Sequence, residues 1–417
     1  MGTPRYYAGI DIGSTAVRVA VGQKLPVGEK EQIHIIGAAE VPSEGINRGV
    51  INSIEDAVSS VSTCIEKVER MTGVPLQAAW VSISGSNVMP MESKGVVAVS
   101  RADGEIREDD VERAIEAAQT VAAPVNFEIL HVIPKTFTVD GQKGIKDPAG
   151  MNGIRLEVDA QIIHGSSAHI KNLTKCVYRT GVNIEHVVLG ILATAEVAAT
   201  AKQRELGVAV VNLGGSTTSI AVFEQGEMLL TSCLPIGSDH VTADVAIGLR
   251  TSIEIAEKVK LSFASALPRE MTKKDEINLR ELGADEDEVI SLKYVAQIVE
   301  ARIDEIFEKI DKELKRIGRS GMLPAGVILT GGGAKLPGIV EFAKEKLRLP
   351  VSQGYPVGVT SITDRVNDMA FTGAIGLVQW GANGDPAAES RGGFMAAVKP
   401  VAAVAGQLKK WWQAVRP

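Results

Sequence analysis

The sequence predicts an α/β protein made of two similar halves facing each other across a cleft. Three glycine-rich segments carry the prediction: Asp11-Ile-Gly-Ser-Thr15, Asn212-Leu-Gly-Gly-Ser-Thr217 and Thr330-Gly-Gly-Gly333. Each follows an apolar run that reads as a buried strand, at 6–10, 207–211 and 326–329. A strand entering a glycine turn can bring backbone N–H groups close to phosphate oxygens, because no side chain blocks the approach. A single such loop is an ordinary turn. The first two, however, share one pattern (acid or amide, apolar, Gly, small residues, Ser/Thr) about 200 residues apart, as expected of a duplicated fold facing one phosphate chain.

The first half opens with strands at 6–12, 16–21 and 33–41, joined by turns at Gly22 and Pro26-Val-Gly28. Ser53 is placed to cap a helix running to about residue 71, with Ile54, Val58, Val61, Ile65 and Val68 on one side. Another strand follows at 79–84. From 86 to 163 the pattern changes to a small mixed unit, with a helix at 109–120 and strands at 131–139 and 155–163. Its turns are Asp140-Gly141 and Asp147-Pro-Ala-Gly150-Met-Asn-Gly153, and it reads as an insertion into the first half. Helices at 166–180 and 193–204 then flank a strand at 184–189.

The second half repeats the opening order, with strands at 207–212, 219–223 and 228–234 around its glycine turn. Helices are expected at 238–249 and 252–266. The charge run 269–288 reads as solvated surface. A long amphipathic helix at 289–317 has Val295, Ile298, Val299, Ile303, Ile306 and Ile310 on its packing face. Residues 382–393, with Asn-Gly-Asp-Pro and Ser-Arg-Gly-Gly, read as a flexible linker.

Composition bounds the function. The 417 residues allow two or more cores, and 45% apolar with 23% charged residues is a globular composition. A net charge of -7 argues against general nucleic-acid binding. Cys64, Cys176 and Cys233 lack metal-ligand spacing and read as reduced thiols. No signal peptide is expected, since the apolar stretch at 6–10 runs into Asp11, and no eighteen-residue apolar run spans a bilayer.

The last twenty residues, 398–417, suit an amphipathic helix. Pro400 is placed at its first turn. Val401, Val404, Ala405, Leu408, Trp411, Trp412 and Val415 fall on one arc roughly 120° wide. Lys399, Gln407, Lys410 and Gln413 lie opposite, while Lys409 and Arg416 flank the arc, where their stems reach toward lipid headgroups. At about 22 Å the helix is too short to cross a bilayer and suits its interface, with paired Trp and basic flanks favouring anionic lipid. Docking on the protein itself or on a partner is the alternative.

In the expected cleft, Ser14, Thr15, Ser216 and Thr217 supply hydroxyl donors beside N–H groups from Gly13, Gly214 and Gly215. Arg18 follows the first turn, either offsetting polyphosphate charge or lying as a surface strand Arg. Asp11, an acid beside a phosphate loop, is a natural holder of Mg²⁺ through water. Gly331, Gly332 and Gly333, with Lys335 and Pro337-Gly338, suit the nucleoside side of a ligand. Glu257 and Lys260 either bond a ribose or base edge or form an exposed helical ion pair.

These residues resemble the superfamily of actin, the sugar kinases and the heat-shock chaperone ATPases, and within it the FtsA family of bacterial cell-division proteins. The resemblance rests on Gly9-Ile-Asp-Ile-Gly-Ser-Thr15, Val81-Ser-Ile-Ser-Gly85, His131-Val-Ile-Pro134, Gly144-Ile-Lys-Asp-Pro-Ala-Gly150, Glu205-Leu-Gly-Val208, Asn212-Leu-Gly-Gly-Ser-Thr-Thr-Ser-Ile-Ala221 and Gly326-Val-Ile-Leu-Thr-Gly-Gly-Gly333. It covers nearly the whole chain. The Ile-Lys-Asp-Pro insertion and the terminal helix point to FtsA within the superfamily.

The resemblance implies an actin-like duplicated fold with ATP and Mg²⁺ in the interdomain cleft. Its expected parts are subdomain 1A (1–85, 164–205 and 366–382), an inserted 1C (86–163), 2A (206–236 and 318–365) and 2B (237–317), then a linker (383–397) and a membrane-targeting helix (398–417). It further implies protofilaments on the cytoplasmic face of the membrane at midcell, tethering of the tubulin-like FtsZ through its C-terminal tail, and recruitment of later division proteins by 1C. By its place in Glu300-Ala-Arg302, Arg302 resembles a family Arg that meets this acidic tail, with Lys293 a second candidate. A PilM-like pilus-assembly scaffold and a metabolic kinase are the other readings; the terminal helix counts against both.

The departures concern catalysis. Superfamily members usually have Asp where Asn212 opens the second loop, and a further Asp where Ser219 stands. Asn cannot act as a base and offers Mg²⁺ a weaker field. The stretch Leu189-Gly-Ile-Leu192 lacks the carboxylate that chaperone ATPases place nearby. Bound ATP with slow or absent hydrolysis is therefore expected.

Overall fold

The computed structural model describes residues 5–384 apart from 28–29, 86, 101–102, 121–122, 273–274 and 285–286. The helix expected at 398–417 and the linker beyond 384 lie outside the described residues. Two central sheets repeat one topology. In the first, Tyr6–Ile12 pairs antiparallel with Ala16–Val27, which pairs antiparallel with Lys30–Pro42; on its other side Tyr6–Ile12 runs parallel to Ala78–Ile83, and that strand parallel to Asn183–Leu189. In the second, Val208–Leu213 is antiparallel to Thr218–Glu224, which is antiparallel to Glu227–Leu234, and parallel to Val327–Thr330, which runs beside Val351–Gln353. The duplication legible in two loops thus extends to five strands of each sheet; Val359–Ser361 adds a sixth to the first.

Ten α-helices occur among the described residues: α1 (Ile54–Thr72), α2 (Glu108–Gln119), α3 (Ser167–Arg179), α4 (Gly190–Ala198), α5 (Ala201–Leu206), α6 (Ser238–Leu249), α7 (Ile253–Phe263), α8 (Leu292–Arg316), α9 (Ile339–Leu347) and α10 (Thr372–Asn383). None is long and apolar enough to cross a membrane. Helices α4 and α10 join the halves. They share a buried cluster with Tyr7 and Ala20 of the first sheet and with Val208, Val210 and Phe223 of the second. Burying a side chain as large as Phe223 or Phe371, both 0% exposed, contributes roughly 2–3 kcal/mol. The crossing is tight because Gly376 faces the backbone of α4: a Cβ there would lie 2.0 Å from the Ala193 carbonyl oxygen.

The inserted unit forms a four-stranded antiparallel sheet with α2 against it, in the order Val88–Ala98, Arg155–Ser166, Phe127–Val139, Gln142–Ile145. Its loop at Lys146 reaches the second half, where the ammonium donates to the Gln225 carbonyl at 2.6 Å.

Several expectations need correction. The helix expected at 193–204 is two, α4 and α5, because Thr200 starts a new one by accepting from the Gln203 N–H. The charge run 269–288 is not solvated surface throughout: Glu276–Asn278 pairs with Val289–Ser291, burying Ile277 and Leu279. The long helix therefore starts at Leu292, while α7 stops at Phe263. Ala382 and Asn383, assigned to the linker, complete α10. Ser53 stands at the cap of α1, yet its hydroxyl makes no capping bond. All three cysteines are free, and burial pushes the Cys64 thiol up to about 12 and that of Cys176 to about 11.

Candidate functional site

The three glycine loops converge from both halves on one cleft of about 390 Å³. The first two loops close identically, the Gly13 N–H donating to the Ala16 carbonyl at 3.2 Å and the Gly214 N–H to the Thr217 carbonyl at 2.9 Å. Gly13, Ser14, Thr15, Arg18, Gly214, Gly215, Ser216, Thr217, Glu257, Lys260, Gly331, Gly332, Gly333 and Lys335 all line the cleft, as do Asp11, Asn212 and Ser219. Leu261, Ile303, Leu336 and Pro337 give it an apolar wall. A concave site with apolar lining and a few convergent polar groups is the ordinary form of a ligand pocket.

Asp11 is fixed in place. The Ser82 hydroxyl donates to its carboxylate at 2.6 Å and accepts the Ile12 N–H at 3.1 Å. Ser14 accepts the Gly49 N–H at 2.7 Å, which leaves its own proton to turn toward the cleft. The second loop is tied to the start of α6, because Ser238 N–H donates to the Gly214 carbonyl at 2.9 Å and Asp239 N–H to that of Gly215 at 2.8 Å. Ser216 donates its hydroxyl to the Asp239 carboxylate at 2.8 Å. Gly215 is tightly placed: a Cβ would fall 1.9 Å from Thr15 Oγ1 and 2.7 Å from the Asp239 carboxylate, so a side chain there would displace one of them. At the third loop a Cβ on Gly331, whose φ is 87°, would meet Asn212 Oδ1 at 2.2 Å. Gly332 has nothing within 4 Å of such a position and is open to a ligand.

The cations are all engaged. Arg18 donates to Glu40 at 2.6 Å and its side chain is 17% exposed. Lys335 pairs with Asp368 at 2.6 Å, and this ion pair and the Ala370 N–H hold the Asp368 carboxyl below its usual range despite burial. The Glu257–Lys260 pair, 2.6 Å long and three residues apart on α7, is half-buried rather than exposed. Lys260 is 9% exposed and also donates to Thr242 at 2.8 Å, while Thr242 donates to Glu257 at 2.5 Å.

These donors fit a nucleotide polyphosphate: three loops of N–H groups, hydroxyls between them and an apolar wall for a base. Among the described residues no three His, Cys, Asp or Glu side chains gather around a single point. A divalent cation would thus depend on phosphate oxygens and water, with Asp11 as a nearby carboxylate. The segment 189–192, Leu-Gly-Ile-Leu, supplies none.

Sequence reasoning missed Asp239, Ser82, Ser84 and Asp368. Asp239 lies 23 residues from Ser216, its bonded partner, and no local pattern joins the two. Arg302 and Lys293 sit apart from the cleft on α8. Arg302 donates to Asp244 of α6 at 2.5 and 2.9 Å and to Glu305, so its guanidinium is committed within its own chain.

Comparison with known proteins agrees with this architecture. A family model described as Cell division protein FtsA matches residues 209–376, and one described as SHS2 domain inserted in FTSA matches 85–164. Proteins named Cell division protein FtsA are 35% identical in Pseudomonas aeruginosa (97% of each chain), 37% in Bacillus subtilis (91% of this chain, 84% of that one) and 30% in Escherichia coli strain K12 (92% and 93%). Among solved structures, a PilM-PilN type IV pilus biogenesis complex aligns with a TM-score of 0.64 at 15% identity, covering 90% of this chain and 98% of that one. MreB5 of Spiroplasma citri bound to ADP aligns at 0.51 and 13% identity, covering 88% and 94%. These two likenesses establish the actin-like fold.

Proposed function

Since the chain belongs to the FtsA family of cell-division proteins, we propose that it is an ATP-binding, polymerising adaptor that tethers an FtsZ ring to the membrane during division. The carrying observation is the convergence of three glycine loops, two from the second half and one from the first, on a single cleft. A nucleotide there touches both halves and so favours the arrangement in which they are close. Bound Mg²⁺ would offset polyphosphate charge. Asp11, held by Ser82, orients water on that cation; Ser14, Thr15, Ser216 and Thr217 donate to phosphate oxygens; Gly331, Gly332, Gly333 and Lys335 lie toward the nucleoside.

Binding rather than turnover is the proposed use of the cleft. Asn212 and Ser219 stand where the superfamily usually has carboxylates and 189–192 adds none, while the Asp239 carboxylate beside the second loop is engaged by Ser216. The membrane arm is the amphipathic segment 398–417, whose paired Trp411 and Trp412 and basic Lys409, Lys410 and Arg416 match an anionic lipid interface. For the FtsZ tail, Arg302 offers charge only by exchange with Asp244 or Glu305, and Lys293 lies one helical stretch before it on the same helix. Self-association into protofilaments and recruitment of later division proteins by the inserted unit belong to the same reading.

The test is deletion of 398–417 in a fluorescent fusion. Loss of membrane binding with retained ATP binding is the expected result. Persistent membrane binding overturns the tether, and absence of midcell bands from the full chain overturns the division role.

A further inference from the structure

Charge in the cleft is distributed in a way that the glycine loops do not explain. Each cation lining it, Arg18, Lys260 and Lys335, is already paired with a carboxylate at 2.6 Å. Two further carboxylates line the same cleft, Asp11 at the first loop and Asp239 above the second. Among the described residues neither has a cationic partner; Ser82 donates to the one and Ser216 to the other. The cleft therefore presents surplus negative charge where a polyphosphate would lie.

Asp239 is placed to matter most. Its carboxylate and the Thr15 hydroxyl close on the same point over Gly215, 2.7 and 1.9 Å from where a Cβ would stand, so it lies where the two loops of the two halves meet. Two backbone bonds from the start of α6 hold it there. Asn212, at the head of the second loop, is neutral. Taking the nucleotide reading above as its basis, we infer that Asp239 is the second half's anionic group in the phosphate site and makes the cleft select a cation-complexed nucleotide over the free polyphosphate. Without a cation, Asp239 would repel the phosphate chain; a bound cation would offset that repulsion, and the carboxylate's charge would favour it. This is a positioning and selectivity role, separate from bond making.

The experiment is calorimetric titration of the full chain with ATP, in excess Mg²⁺ and in EDTA, for the wild type and Asp239→Asn. Asn keeps the side chain's size and an oxygen to accept from Ser216. The wild type is expected to bind much more weakly in EDTA, and the variant to narrow that gap about tenfold by binding metal-free ATP better, the scale of one charge contact in a half-buried site. A purely structural role would weaken both conditions alike. An unchanged gap in the variant, or no gap in the wild type, overturns the inference. Failure of the wild type to bind ATP under either condition overturns the nucleotide reading itself. Asp239→Ser, which removes the charge and leaves a small hydroxyl in the first turn of α6, serves the same comparison should the Asn variant not fold.

Discussion

His131 illustrates how one buried group ties the inserted unit to the body. It is 3% exposed, its Nε2 accepts the Leu189 N–H at 3.0 Å, and its ring meets Trp380 of α10 edge-on. Burial, with a smaller contribution from His186, pushes its pKa down to about 4. A protonated ring would turn an N–H toward the Leu189 N–H. The folded chain therefore binds fewer protons than the unfolded one between about pH 6.5 and 4. Its stability contribution is complete above that window and is lost as pH falls through it, by up to about 3 kcal/mol. His164, His169 and His186 are shifted down by burial in the same direction. Urea midpoints should fall from pH 7 to pH 5, and His131→Gln should flatten that fall; a flat wild-type profile counts against this account. None of this was legible in the sequence. His131 stood out only as part of a family motif, and its edge-on partner Trp380 lies 249 residues away in the chain.

Among elements, the crossing of α4 and α10 sets the spacing of the halves. Gly376→Ala places a methyl group 2.0 Å from a backbone oxygen that cannot rotate away, so the helices must separate. The expected cost is about 1–3 kcal/mol in denaturant unfolding, while Gly332→Ala, with open space at the Cβ, should leave stability unchanged. Equal effects from the two would refute the argument. Helix α10 itself escaped the sequence reading because Gly373, Gly376 and Gly381 interrupt it and nearly every residue in it is buried, which leaves no amphipathic period. The strand Val88–Ala98 escaped for the opposite reason. It carries Pro90, Glu92 and Lys94 and buries little, and only its pairing with Arg155–Ser166 makes it a strand.

For the whole molecule, the cleft lies between two copies of one topology, and its proposed use is binding rather than turnover. Phosphate release from Mg²⁺-ATP by the purified chain should be slow or absent, and Asp11→Ala should weaken nucleotide binding. Rapid turnover abolished by Asp11→Ala would reverse the assignment, because it would mean that a carboxylate supplies the base that Asn212 cannot.

The glycine loops, the apolar runs before them and the repeated strand order determined the duplicated fold and the residues lining its cleft, since backbone approach to phosphate demands glycine within a few positions of a strand end. The expectation of an amphipathic segment at 398–417 rests likewise on local periodicity alone. Only the tertiary structure decided the charge of the cleft. It paired Arg18, Lys260 and Lys335 with carboxylates, so that the Arg18 expected to offset polyphosphate and the lysines expected near the nucleoside are already engaged, and it brought Asp239 over a loop 23 residues away. Local patterns fix where the backbone turns; electrostatics falls with distance in space, and distance in space is set by how the two halves and their helices pack.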